Sequence, residues 1–114
     1  MKKTRAVLAG TGFEGRETVI RSFAKKGSAL QLRREPANKY DKNAIAVWLE
    51  CRVFFGLLKF WRKIGYIQST RAQKLAPRID EGKIQIVRVS VVNLYCPPDL
   101  NHPDVTALIE YVNN

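Results

Sequence analysis

Between Lys83 and Leu94 the chain reads Lys-Ile-Gln-Ile-Val-Arg-Val-Ser-Val-Val-Asn-Leu, with isoleucine and valine recurring almost without interruption. β-Branched side chains are stiff at χ1 and fit a pleated surface, so this run reads as one long strand. Its apolar content implies burial on both faces for part of its length. In a chain of 114 residues a strand this long is expected to curve, and a small closed barrel is the architecture that curves it. Pro97-Pro98 ends the run, because proline brings no N–H to a ladder. The expectation is a mostly β fold with two short helices, of the α+β class.

A second block, Arg33 to Trp48, reads as strand, structured turn and strand. Leu30 and Leu32 alternate with Gln31 and Arg33, the period-two signature of a half-buried strand. Glu35-Pro36 stops it. From Ala44 the alternation resumes, with Ile45, Val47 and Leu49 on one face and Ala44, Ala46 and Trp48 on the other. The intervening turn is richer than a chain reversal requires. Asn38 and Asp41 suit side-chain-to-backbone turn bonds, and Lys39, Tyr40, Asp41, Lys42 and Asn43 follow one another. They offer an aromatic face, a carboxylate, an amide and two cations between rigid strands, as a recognition loop does. A polar turn on which Tyr40 simply packs is the plainer alternative.

The sequence Arg-Glu-Pro-x-Asn-x-Tyr-Asp-x-Asn-Ala-Ile-Ala-Val, from Arg34 to Val47, resembles the signature of the HIRAN domain. Gly10-Thr11-Gly12-Phe13-Glu14-Gly15-Arg16 upstream and Ile64-Gly65-Tyr66-Ile67 downstream agree in order and spacing. The resemblance covers roughly residues 7 to 92. It implies a small OB-like or SH3-like β-barrel that captures the 3′-hydroxyl end of single-stranded DNA. It further implies that Tyr40 and Asp41 sit at the end-recognition pocket, that Phe13 is a base-stacking aromatic and that Tyr66 lies near the pocket. Two positions depart from the family pattern. Gly12 stands where helicase-type members can carry an arginine and Ser69 where a lysine can occur, which implies either a weaker affinity for phosphate or phosphate contacts from Lys39, Lys42 and Arg71.

Charge points the same way independently. The net charge is +10, and residues 99–114 hold three acids and no Lys or Arg, so residues 1–98 carry 20 basic against 7 acidic residues. A fold so basic expects an anionic partner, and phosphate backbone is the commonest one. Plain solubility is the competing explanation. A membrane surface is not expected, since no long basic amphipathic helix is evident and the most apolar run, Val53 to Trp61, is far short of a span. Cys51 and Cys96 form no metal motif, and His102 has no ligand partner near it in sequence. No metal or cofactor is expected. The isolated cysteines read as reduced thiols, and Met-Lys-Lys is followed by no export signal, so a cytoplasmic location is expected.

The remaining segments fill in one domain, with a core over roughly residues 4–94 and a C-terminal extension over 99–114. Thr4 to Thr11 suits a first strand. Residues 16–26 suit a helix with Val19, Ile20, Phe23 and Ala24 inward, stopped by Gly27. Ser69 or Thr70 is expected to cap a second helix that buries Ala72, Leu75, Ala76 and Ile79, with Pro77 bending or breaking it. Asp99 to Asp104 reads as loop, and Val105 to Val112 as a last strand in preference to a helix. Residues 51–63 form an apolar insertion unlike the short polar hairpin of the family. Phe54, Leu57, Leu58 and Trp61 fit helical spacing, while Gly56 fits a hairpin turn, and periodicity does not decide. Such exposure favours self-association through Phe54, Phe55, Leu57, Phe60 and Trp61, or a lid over the core, ahead of a nucleic-acid platform.

Stacking on Phe13, Tyr40 and Tyr66, with phosphates met by Arg33, Arg34, Lys39, Lys42, Arg71 and Lys74, suits a single strand. Asp41 is the informative residue. A carboxylate among phosphate ligands repels unless the ligand donates it a hydrogen bond, and a free terminal hydroxyl is such a donor. The expected function is therefore a single-stranded DNA binding module selective for a free 3′-hydroxyl, serving DNA repair, replication forks or mobile elements, with RNA as the second candidate ligand. The alternatives are a scaffold of the same fold that has lost nucleic-acid binding and, behind it, a hydrolase. No catalytic constellation is visible, so no enzymatic activity is expected.

Overall fold

A computed structural model describes residues 1–99 and 102–114. Leu100 and Asn101, within the loop expected over 99–104, lie outside the described residues. Among the described residues the order is β1 (Lys2–Ala9), α1 (Arg16–Phe23), β2 (Ala29–Arg34), β3 (Ile45–Val53), β4 (Leu58–Ile67), α2 (Ser69–Asp80), β5 (Ile84–Tyr95) and β6 (Asp104–Asn113). The strands close into an antiparallel barrel in the order β1-β4-β3-β2-β5-β6. The mostly β barrel with two helices is the architecture expected.

The long strand bends as its length demands. β5 breaks register against β6 between Ile86 and Arg88 and again between Val91 and Asn93, and such bulges increase local twist and bend a strand. Between the breaks Val89, Ser90 and Val91 are buried in succession. The strands fill the barrel with Ile45, Val47, Leu49 and Cys51 of β3, Ile64 and Ile67 of β4, and Val105, Ala107 and Ile109 of β6. Ile20 of α1 and Ala72, Leu75 and Ala76 of α2 complete the core.

The stretch set apart in the sequence as a C-terminal extension supplies the closing strand. β6 lies between β1 and β5, and Val105, Ala107 and Ile109 have no exposed surface. Without it both neighbours would be open edges. The ambiguous stretch 51–63 is the distal half of the β3–β4 hairpin. Val53 pairs with Leu58 and Phe54 to Leu57 make the turn, with Gly56 N–H donating to the Val53 carbonyl at 3.2 Å. The helical reading therefore falls. So does the lid: Phe54 is 69% and Phe55 108% exposed. Phe60 points the other way and packs edge-on against Phe23, 5.5 Å between centroids.

Both helices differ from expectation at their ends. α1 stops at Phe23 rather than 26, because the next residues are drawn to β5. Gly27 N–H donates to the Val91 carbonyl at 2.8 Å, and Val91 N–H to the Ser28 carbonyl at 3.0 Å. Neither Ser69 nor Thr70 caps α2 through its side chain; Gln68 holds the cap position with no side-chain bond. Pro77 does not break α2, which runs on to Asp80. The proline is exposed, so the carbonyl it leaves without a donor lies where water reaches it.

Candidate functional site

The turn between β2 and β3 folds as its residue types dictate. The Asn38 side-chain oxygen accepts from the N–H groups of Tyr40 (2.9 Å) and Asp41 (3.1 Å). Asp41 Oδ1 accepts from Asn43 N–H at 2.8 Å. These are Asx-type bonds that fix a loop without a core beneath it. Tyr40 stands out of this loop, 86% exposed, with Lys39 Nζ 5.2 Å from its ring centroid. Asp41 is half-buried; its Oδ1 belongs to the turn, and among the described residues its Oδ2 has no hydrogen-bond partner. Lys42 is exposed.

A polar post joins this loop to the glycine-rich one. The Tyr66 hydroxyl donates to Glu35 Oε1 at 2.9 Å and accepts from Lys63 Nζ at 3.1 Å. Lys63 also pairs with Glu35 Oε2 at 2.8 Å, and Asn38 donates to Glu35 Oε1 at 3.0 Å. On the other side the Arg16 guanidinium lies 5.2 Å from the Tyr66 ring centroid and donates to the Gly10 carbonyl at 2.9 Å. Arg16 is buried, and Thr11 Oγ1 donates to the buried Pro103 carbonyl at 2.7 Å. The loop is thus pinned at both ends, and Phe13 projects from it 68% exposed. Beside Phe13 opens a groove of about 410 Å³, lined by Gly10, Thr11, Gly12, His102 and Asp104.

Burial pushes the Glu35 carboxyl up, but hydrogen bonds from Lys63, Asn38 and Tyr66 outweigh it and hold the acid below the ordinary carboxylate range. The same bonds to Glu35 and Tyr66 hold Lys63 above its ordinary value. An acid whose folded pKa lies below its unfolded value stabilises the fold above the unfolded value. That stabilisation is lost as pH falls through the folded one. The lysine's contribution has the opposite sense, present below its ordinary value and lost in strong alkali. The melting temperature is therefore expected to fall as pH drops below 4.5, the ordinary value for Glu35. Glu35→Gln should flatten that acid limb in a melting series from neutral pH downwards. An unchanged limb would show that Glu35 carries no such linkage.

The loop residues Lys39, Tyr40, Asp41 and Lys42 are together, and Tyr66 links them to the Phe13 loop. Tyr66 itself is half-buried, with Arg16 and Lys63 against its ring. Arg34 is not available to a ligand in the way expected. It clamps Asp80 with Nε and Nη2, both at 2.9 Å, and donates to the carbonyls of Ala44 and Lys42. The Asp80 hydrogen bond raises the Arg34 pKa, and the Asp41 charge adds to it. Arg71 is turned away, donating to Thr4 Oγ1 at 2.8 Å and lining a groove between α2 and β1 with Lys74 and Arg78. Lys74 is exposed there. Residue types alone did not single out Arg16, Glu35 and Lys63, the three charges that hold the two loops. Glu35 and Arg16 do lie inside the two motif blocks, and their charge at a strand or helix boundary was the signal present.

Among the described residues no group of three or more His, Cys, Asp or Glu side chains is placed to hold a metal ion, and Cys51 and Cys96 are free thiols. No described helix is long and apolar enough to cross a membrane.

A family model described as HIRAN domain matches residues 2–101. The HIRAN domain of human HLTF has a similar structure, with TM-score 0.60 and 20% identity, covering 98% of this chain and 77% of that one. A protein from Lactobacillus plantarum is similar at TM-score 0.64 and 22% identity, covering 95% of this chain and 97% of that one. At these identities the likeness is one of fold. No curated protein sequence matches the chain.

Proposed function

The chain belongs to the HIRAN domain family, a family of DNA-binding domains, and we propose that this member binds single-stranded DNA by its free 3′-hydroxyl end. The observation that carries the reading is Asp41. Its Oδ1 is spent on the turn, its charge is felt by Arg34, and in the chain it directly follows the exposed Tyr40 and precedes the exposed Lys42. A terminal hydroxyl donates to a carboxylate oxygen, whereas a terminal phosphate is repelled by it. Tyr40 and Phe13 then stack the last bases, and the exposed lysines neutralise phosphates. Nothing in this scheme requires bond making or breaking, so the reading is of a binder and not a catalyst. Processing of DNA ends in repair, at replication forks or in mobile elements is the setting that such selectivity suits, and an intracellular location goes with it.

The test is a titration of one oligonucleotide with a 3′-hydroxyl against the same oligonucleotide 3′-phosphorylated. A hydrogen bond to a charged acceptor contributes about 1.5–3 kcal/mol, so the hydroxyl form should bind about ten- to a hundredfold tighter. Asp41→Ala should bring the two forms to equal affinity. Equal binding by the unaltered protein would sink the proposal. The same titration with RNA of identical sequence decides between the two sugars.

A further inference from the structure

We infer that the outward face of β2, β3 and β4 is a second binding surface for single-stranded nucleic acid, which carries the strand from the end pocket to the β3–β4 hairpin tip. This rests on the end-binding reading and extends it. Residues two apart on a strand share a face, and the register gives the members of this one. Trp48 lies opposite Gln31 and Lys63, Glu50 opposite Trp61, and Arg52 opposite Lys59. Beside Trp48, Arg33 lies opposite Ala46. The face therefore carries two aromatic rings, Trp48 and Trp61, with the cations Arg33, Lys63, Arg52 and Lys59 around them. Arg33 is exposed, and its guanidinium carbon lies over Trp48, 4.0 Å from the ring centroid. Lys63 is 5.9 Å from the same ring.

The far end of the face is built similarly. A groove of about 620 Å³ lies beside Arg52, lined by Ser22, Lys25, Lys26, Ser28 and Glu50. Beyond it project Phe54 and Phe55, with Leu57 83% exposed. Both phenylalanines have positive φ, 54° and 57°. Bulky side chains rarely adopt that region, and such strain persists where the surrounding fold or a function maintains it. A glycine, asparagine or aspartate would turn this hairpin without strain. The chain keeps two unshielded aromatic rings there instead.

Charge decides the occupant. The face and its groove hold Arg33, Arg52, Lys59, Lys25 and Lys26, besides Lys63, which is paired with Glu35, and Glu50 accepts from Arg52 at 2.6 Å. A second copy docked by its own tip would bring the same cations together, and like charges at close range oppose that contact. A polyanion with stackable faces meets both features at once. The span fits too. β3 has nine residues, so its first and last Cα atoms are roughly 26 Å apart at ~3.3 Å per step. That is about eight nucleotides stacked at ~3.4 Å.

Oligothymidylates of about three, six and nine nucleotides with a free 3′-hydroxyl distinguish the outcomes. Affinity should rise at least tenfold from the shortest to the longest, with a steeper salt dependence for the longest. Arg52→Glu with Lys59→Glu should remove that gain and leave the shortest oligonucleotide unaffected. Phe55→Asn should also weaken the longest while raising the melting temperature, because asparagine tolerates the left-handed region. A purely structural role for Phe55 would not separate those two readouts. Equal affinity at all lengths overturns the track and leaves the end pocket standing. Length dependence without 3′-hydroxyl preference supports the track and removes the end reading. Length-independent binding with sedimentation of a dimer that Phe55→Asn dissociates overturns the track and makes the tip an interface between copies.

Discussion

Phe13→Ala combined with Tyr40→Ala should weaken single-stranded DNA binding about a hundredfold and leave the fold intact. Stacking one base on an aromatic ring contributes about 1–3 kcal/mol, and about 1.4 kcal/mol is a factor of ten. The two rings stand on separate loops, one before α1 and one before β3, so their losses should add. Each is mostly solvent-exposed, at 68% and 86%, and neither belongs to the core. Stability should therefore change by no more than about 0.5 kcal/mol. Fluorescence anisotropy gives the affinity and a thermal melt gives the control. An unchanged affinity in the doubly substituted protein would mean that neither ring meets a base.

Gly65→Ala should destabilise the barrel by about 2–3 kcal/mol, a drop of roughly 10 °C in melting temperature. Gly65 lies on β4 opposite Val47. A Cβ placed there would stand 2.7 Å from the Ala9 carbonyl oxygen, with Leu8 and Thr11 within 3.6 Å. A backbone oxygen in a ladder has no rotamer by which to yield. β1 pairs with β4 at Leu8 with Ile67 and Ala9 with Tyr66, so among the described residues the barrel closes along a short seam at this point. The sign separates two explanations. Strand propensity alone would make alanine stabilising by about 0.5–1 kcal/mol. A higher melting temperature would therefore refute the steric argument. Because Tyr66 follows Gly65 and joins the two loops, DNA affinity should fall with stability in this variant.

Much of the barrel was legible because strand alternation is a local signal. Ile45, Val47 and Leu49 declared an inward face that is indeed without exposure. The Ile/Val run over 83–94 announced a curved strand. The turn bonds of Asn38 and Asp41 followed from side-chain chemistry and the residues next to them. The stretch 54–57 was not legible, since its apolar residues satisfy helical spacing as well as they satisfy a hairpin. Only pairing of Val53 with Leu58 across the turn resolved it. Arg34 shows a different failure. An arginine beside a recognition loop reads as a phosphate ligand until Asp80, 46 residues away, is found against it.

By itself the sequence determined the strands outside residues 51–63, the faces they bury, the composition of the loop between β2 and β3 and the net basic charge. Each of these follows from interactions between residues close in the chain or from charge summed over it. The tertiary structure alone decided which charges are spoken for. Tyr66 reaches Glu35 across 31 positions, and Arg16 is buried against the Gly10 carbonyl, contacts that no spacing rule encodes. It also decided that residues 104–113 close the barrel, because a strand's partners depend on how the whole sheet curls. Polar partnerships and closure are properties of the folded surface, and they appear only when distant segments are brought within a few ångströms.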